Sequence, residues 1–259
     1  MAIGAKYEKL LGIISPYERA VVAFSGGVDS SLLAYAAAEA LGRENVLCVT
    51  ARGMLFPARE FEDAKTFCAD HGIRQEFVDF GIDMLADNPP DRCYLCKLAL
   101  FKKFIAAAAC EGIETVIEGS NLNDLDDYRP GMRAVRELGI KSPLLEACLT
   151  KDDVRAILKE LGLPAWDKAP LACLATRIPY GEKITDEKLA MIDRAEQFLF
   201  EKGFKQVRVR IHGEIDYTAV IEVMPDEIKR LGEFCNSLGF AHVSIDPSGY
   251  RTGSMNEGL

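Results

Sequence analysis

The chain has 259 residues, enough for one large domain plus a small one, or for two moderate domains. Hydrophobic residues at 49% and charged residues at 27% exclude wholesale disorder, and no apolar run approaches the roughly 20 residues of a membrane helix. The net charge of −9, from 40 acidic against 31 basic residues, opposes non-specific contact with nucleic acid or anionic membrane, so neither is expected as a partner.

The opening MAIGAKYEKLLGII has no basic segment leading into an apolar core and a cleavage site, so a cytoplasmic location is expected. In that compartment eight cysteines read as ligands, nucleophiles or buried thiols rather than as a disulfide framework. Ala20–Phe24 (AVVAF) reads as a buried strand, then a glycine turn, then a helix over Ser31–Leu41. Asn45–Thr50 is a second strand, Pro57 opens a helix running to about Asp70, and Arg74–Phe80 is a third strand with alternating polarity. An alanine-rich helix over Leu98–Ala109 and a strand over Glu114–Glu118 follow. A helix over Lys151–Leu161 has Thr150 as its N-cap and Asp153 three residues on. This alternation predicts an α/β fold, a parallel twisted sheet with helices on both faces.

Residues 162–181 (GLPAWDKAPLACLATRIPYG) hold three prolines and no sustained period, the mark of a long ordered loop with a function. The lone Trp166 reads as packing. Beyond lies a smaller α/β domain: helix Asp186–Lys202, strands Gln206–His212 and Tyr217–Val223, helix Asp226–Leu238, strand Ala241–Ile245. The expected domains are therefore 1–180, carrying nucleotide chemistry, and 181–259, serving substrate binding or oligomerisation.

The string Ser25-Gly26-Gly27-Val28-Asp29-Ser30 falls where a strand turns into a helix. Glycines let backbone N–H groups approach an anion, and the helix N-terminus adds unpaired donors and partial positive charge. Ser25 and Ser30 add hydroxyls, and Asp29 suits Mg2+ bridging phosphates. A tight turn with serine caps is the plain structural alternative. There is no GxxxxGK[ST], so this is not a loop that presents the γ-phosphate.

The string SGGVDS after AVVAF resembles the PP-loop ATP pyrophosphatase family, whose members adenylate a carboxylate or carbonyl and release pyrophosphate. Three further segments narrow the resemblance: NPPDRCYLCK with Cys93 and Cys96, EGSNLNDLDDYRPG ending in Arg129-Pro130-Gly131, and KAPLACLATRIPYG with Cys173 and Arg177. Together they resemble the LarE-type ATP-dependent sulfur transferases that mature the nickel-pincer cofactor of lactate racemase, over essentially the whole chain. The resemblance implies a PP-loop (HUP-like) fold, ATP and Mg2+ as cofactors, and pyridinium-3,5-dicarboxylate mononucleotide as substrate. Each carboxylate would be adenylated and converted to a thiocarboxylate, with sulfide or a sulfur-donor protein as the ultimate supplier and a homo-oligomer as the expected assembly.

Cys173 matches the family's sacrificial cysteine, whose loss of sulfur leaves dehydroalanine. Members with three such cysteines resemble an iron–sulfur form, in which Cys93, Cys96 and Cys173 would hold a [4Fe–4S] cluster with one iron open to a hydrosulfide. Both routes stand open, as does the plain reading of the CxxC as a redox pair or half a zinc site. Cys48, Cys68, Cys110, Cys148 and Cys235 fall in helical or apolar settings that suit small hydrophobes.

Arg208, Arg210 and His212 alternate on one strand and share a face. The resemblance places substrate-phosphate arginines here, whereas spacing alone is equally satisfied by a solvated face. Arg177 either lowers a thiol pKa or holds a phosphate, or makes a structural ion pair. Asp124, Asp127 and Arg129 lie at the expected ligand edge of the sheet or order the loop. Glu222 is a weak metal candidate. Three other readings compete: a tRNA thiolase of the same fold, which needs a basic track the charge balance does not suggest; an amide-forming ligase, which needs no cysteine; and a nucleotide-sensing module.

Overall fold

The computed structural model describes residues 3–125, 131–169 and 172–251. Strands β1 (Ala20–Ala23), β2 (Val46–Arg52), β3 (Arg74–Asp79) and β4 (Val116–Ile117) form one parallel sheet in the order β3-β2-β1-β4. The first two are almost wholly buried, which is why they read as unbroken apolar runs: a strand covered on both faces has no solvent side for polar residues. β3 is the edge, and its residues are exposed or half-buried. It is flanked by ion pairs from Arg74 to Glu111 and from Asp79 to Arg52, charges of the kind that discourage further strand pairing.

Helices α1 (Ile3–Ile14), α2 (Val28–Leu41), α3 (Ala58–His71), α4 (Arg92–Cys110), α5 (Gly131–Glu137), α6 (Pro143–Glu146) and α7 (Lys151–Glu160) flank the sheet. α1, which the sequence reading did not anticipate, buries Tyr7, Leu10 and Ile14 from one stripe against α2. α2 begins at Val28 rather than Ser31, so the glycine loop runs straight into the helix with Gly27 as N-cap. α4 begins at Arg92 rather than Leu98, which puts both cysteines of the CxxC inside a helix of 19 residues. α7 is as expected: the Thr150 hydroxyl accepts from Asp153 N at 3.2 Å, and the Asp153 carboxylate accepts from Thr150 N at 3.1 Å, a reciprocal cap.

The chain leaves β1 toward β2 and β3 on one side, while β4 returns on the other. The carboxyl ends of β1 and β4 therefore flank the point where strand order reverses, the usual ligand crevice of an open α/β sheet.

By contacts the chain divides into two compact units, and the division is not one cut. The first comprises Met1–Gly53, Arg59–Phe80 and Cys93–Pro170; the second comprises Met54–Ala58, Gly81–Arg92 and Leu171–Leu259. The two upstream segments join the second unit through backbone pairing: Leu174 N donates to Leu55 O at 2.9 Å and Ile184 N to Ala86 O at 2.8 Å. Asn88, buried at φ +50°, donates its side-chain amide to Ile178 O and Pro179 O.

In this second unit α8 (Asp186–Glu201) packs on a small sheet of β5 (Val207–His212), β6 (Thr218–Val223) and β7 (His242–Ile245), with β5/β6 antiparallel and β6/β7 parallel. Leu199, Phe204, Val209 and Ile221 form its core. The helix expected over Asp226–Leu238 is instead three short turns, Pro225–Glu227, α9 (Ile228–Leu231) and Cys235–Ser237. Gly232 and Ser237 lower the helical propensity there, and apolar residues such as Phe234 are drawn to the core without needing a continuous helix. Of the cysteines expected to be structural, Cys48 and Cys68 are buried and Cys235 is half-buried, but Cys110 and Cys148 are exposed. The former ends α4 at the surface, and the latter sits in a turn at φ +58°.

No helix of the described residues is long and apolar enough to cross a membrane. A fully buried charged pair lies inside the second unit: Arg177, with no exposed surface, is gripped by both oxygens of Glu196 at 2.8 and 2.9 Å. Glu196→Gln is expected to cost about 3 kcal/mol or more, because it leaves that guanidinium buried without its counter-charge. Thr150→Ala removes only a cap and is expected to cost about 1 kcal/mol. Denaturant unfolding of both variants checks the ordering.

Candidate functional site

The loop between β1 and α2 takes its shape from Gly26 at φ +74°, a conformation L side chains rarely adopt. A β-carbon there would also meet the backbone nitrogen of Ala64 on α3 at 3.0 Å, so this glycine satisfies two demands at once. The serines knit the bend: Ser25 Oγ lies 3.1 Å from Ser30 Oγ and accepts from Gly27 N at 3.3 Å, while Ser30 Oγ donates to Gly27 O at 3.1 Å. Asp29 stands in the first turn of α2, where the helix N–H groups and their partial positive charge gather.

The loop after β4 closes over the same helix end. A β-carbon on Gly119 would lie 3.2 Å from both Ser30 N and Asp29 Cβ. Asn121 then donates to Asp29 Oδ1 at 3.1 Å, and Lys151, the first residue of α7, makes a short ion pair with Asp29 Oδ2. Asp124 holds this loop in form by accepting from Asn121 N at 2.9 Å, the loop-ordering arrangement. Buried Glu118 accepts from Ser120 N and Oγ and from the Ser142 hydroxyl, with Lys97 Nζ at 3.8 Å. A second lysine approaches from the segment after α7, where Lys168 Nζ donates to Gly26 O at 2.9 Å and pairs with Asp63 at 2.8 Å. Asn121, Lys151 and Lys168 were not singled out from the sequence. Only their place at the same sheet edge marks them, and folding alone reveals it.

Cys93 and Cys96 lie three residues apart in the first turns of α4, so the half-buried thiols share one helix face. That spacing fits two ligands of one metal or cluster. Among the described residues no set of three His, Cys, Asp or Glu side chains is gathered as a metal site. Arg129 and Asp127 lie outside the described residues. Trp166 packs against the first unit's core with Lys159 over its ring, as its packing role requires.

Cys173 precedes the turn Leu174–Arg177 and is held through its backbone. Arg177 donates to Ala172 O at 2.8 Å, Cys173 O at 3.2 Å and the Thr176 hydroxyl at 2.7 Å, while Glu196 holds its other face. Of the readings open for Arg177, this is the geometry of the structural ion pair. Arg210 reaches the same turn by donating to Thr176 O at 3.0 Å, and forks onto Glu222, which makes Glu222 the partner of an arginine. Arg208 is buried, with Tyr250 stacked 5.2 Å from its guanidinium. Burial first, then the neighbouring Arg177 charge, push that guanidinium down to about 10. His212 sits at the exposed end of the strand, 3.8 Å from Glu182.

A family profile described as NAD synthase matches residues 14–87, the stretch that builds β1, the glycine loop, α2 and the strands beside them. An uncharacterised protein of Synechocystis is 40% identical over 98% of each chain. The pyridinium-3,5-bisthiocarboxylic acid mononucleotide synthase of Lactiplantibacillus plantarum is 37% identical over 99% of this chain and 96% of its own. An uncharacterised protein of Methanocaldococcus jannaschii is 29% identical over 91% of this chain and 92% of its own. A glycine loop at the switch point of a parallel sheet, together with end-to-end similarity at these identities, places the chain in the LarE-type family of PP-loop ATP-dependent sulfur transferases.

Proposed function

We propose that the protein adenylates the carboxylates of pyridinium-3,5-dicarboxylate mononucleotide and converts them to thiocarboxylates. The observation that carries this reading is the glycine bend at the sheet's switch point, with Asp29 at a helix N-terminus between Asn121 and Lys151. The similarity to a synthase named for the bisthiocarboxylic product supplies the substrate class.

The outer phosphates of ATP would lie on the N–H groups of Gly27 and the first turn of α2, leaving the α-phosphorus open to a carboxylate oxygen. Asp29 suits a hard divalent cation such as Mg2+, which would neutralise charge on the departing pyrophosphate, and Lys151 adds a fixed cation beside it. The mixed anhydride so formed has AMP as leaving group, so a sulfur nucleophile can attack its carbonyl carbon and expel AMP. Arg208 and Arg210 are assigned to the substrate's phosphate, Arg210 sharing its fork with Glu222.

Two sulfur sources stand open. In one, the Cys173 thiolate attacks. Loss of its α-proton with cleavage of the Cβ–Sγ bond then leaves dehydroalanine in the chain and sulfur on the substrate. In the other, Cys93, Cys96 and Cys173 would hold a [4Fe–4S] cluster, which would supply an open position for hydrosulfide delivered as sulfide or by a donor protein. We assign residues 181–259 to substrate binding and to assembly of a homo-oligomer.

Incubation with ATP and the dicarboxylate is expected to yield AMP, pyrophosphate and a product with sulfur in place of oxygen; ADP, or no reaction, would refute the reading. Asp29→Asn is expected to lower kcat roughly a hundredfold or more, because it removes electrostatic stabilisation of the leaving group. Cys173→Ser should retain carboxylate-dependent pyrophosphate–ATP exchange yet transfer no sulfur, whereas an amide-forming ligase would be unaffected. Anaerobic iron and sulfide content, with Cys93→Ser and Cys96→Ser, separates the two sources: activity that survives both substitutions, with the elements of hydrogen sulfide lost from the Cys173 peptide, assigns the sacrificial route.

A further inference from the structure

The Gly26–Gly27 peptide is the softest link in the phosphate loop. It is flanked by two residues without β-carbons, and glycine populates positive and negative φ about equally, so within the loop its rotation is opposed mainly by the 3.3 Å bond from Gly27 N to Ser25 Oγ. The peptide is trans, and in a planar trans peptide the carbonyl and the following N–H point in opposite directions. Whatever grips Gly26 O therefore decides where Gly27 N–H is aimed.

Lys168 grips it. Its ammonium donates to Gly26 O at 2.9 Å and is held by Asp63 at 2.8 Å. Asp63 immediately precedes Ala64, whose backbone walls off Gly26, so one turn of α3 both shapes the bend and anchors its clamp. At its other end Lys168 is fixed through its main chain: its carbonyl accepts from Arg155 at 2.7 Å and its N–H donates to Ala165 O at 3.3 Å, behind the short turn Pro164–Asp167. With both ends of this flexible side chain held, part of the entropy of ordering it is already lost in the fold.

We infer that Lys168 is a positioning residue of the phosphate loop: it locks the Gly26–Gly27 peptide with Gly27 N–H on the Ser25 Oγ side, where the pyrophosphate half of the nucleotide would lie, and Asp63 holds the ammonium in place on Gly26 O. This rests on the ATP reading above and deepens it. A clamp on one peptide affects the ligand end that this peptide touches and leaves the nucleoside end alone.

Calorimetric titration of the full chain with magnesium pyrophosphate and, separately, with AMP tests the inference. Lys168→Met is expected to weaken pyrophosphate about tenfold, the scale of one hydrogen bond to a charged group, with AMP held within about twofold. Lys168→Arg, which keeps a charged donor, should recover most of the loss. Asp63→Asn should weaken pyrophosphate in the same direction, and it reports independently if Lys168→Met does not fold. In turnover the loss should appear as a raised KM for ATP with kcat largely kept, the mark of uniform binding.

Equal weakening of both ligands would mean general loosening, and tighter pyrophosphate in Asp63→Asn would make Lys168 a ligand that Asp63 withholds; either result overturns the inference, as does a Lys168→Met variant that binds like wild type. Wild-type protein that binds neither ligand refutes the ATP reading itself and the clamp with it, whereas wild-type binding with an indifferent Lys168 refutes the clamp alone.

Discussion

The loop at the end of β1 can turn only through a residue with no side chain, because helix α3 passes within van der Waals contact of the bend. Gly26 meets that demand at positive φ, with Ala64 filling the space where a β-carbon would lie. From this one constraint follow the position of α2, whose first turn starts directly beyond the bend, and the placement of Asp29 and Ser30 at its mouth. The strand order then fixes what else can arrive there. β4 returns beside β1, and its following loop lays Gly119 and Asn121 against the same helix end.

Two kinds of anchoring operate in the molecule, and they differ in energetic character. Around the phosphate loop the polar groups are half-exposed and paired in short range: Asp29 with Lys151, Asp63 with Lys168. Pairs of this kind contribute modestly to stability and rearrange readily when a competing charge arrives. In the second unit Arg177 and Glu196 are buried together, where separating either from its partner is far more costly. The first arrangement suits groups that must exchange partners as phosphates come and go; the second suits a fixed scaffold.

Much of the first unit was legible because its signals are local. A doubly covered strand must be apolar throughout, a glycine pair after it must be a turn, and Thr150 with Asp153 must cap a helix; each of these is decided within a few residues. What escaped the sequence depends on chain segments far apart. Lys151 looked like an ordinary first helical residue until α7 was packed against α2, and Lys168 sat in a proline-rich stretch with no period to orient it. Arg177 was readable as a pairing or a catalytic group, and only the distant Glu196 selects the geometry it adopts. The broken helix over 226–238 failed for a related reason: an apolar pattern says which residues go inside, not whether the backbone between them stays regular.

The turn that bears Cys173 is tied down by its own peptide oxygens. Arg177 takes those of Ala172 and Cys173, Arg210 takes that of Thr176, and Leu174 offers its amide to Leu55. None of these ties involves the sulfur. Those ties run through the main chain, so replacing residue 173 with serine leaves each of them available to hold the turn.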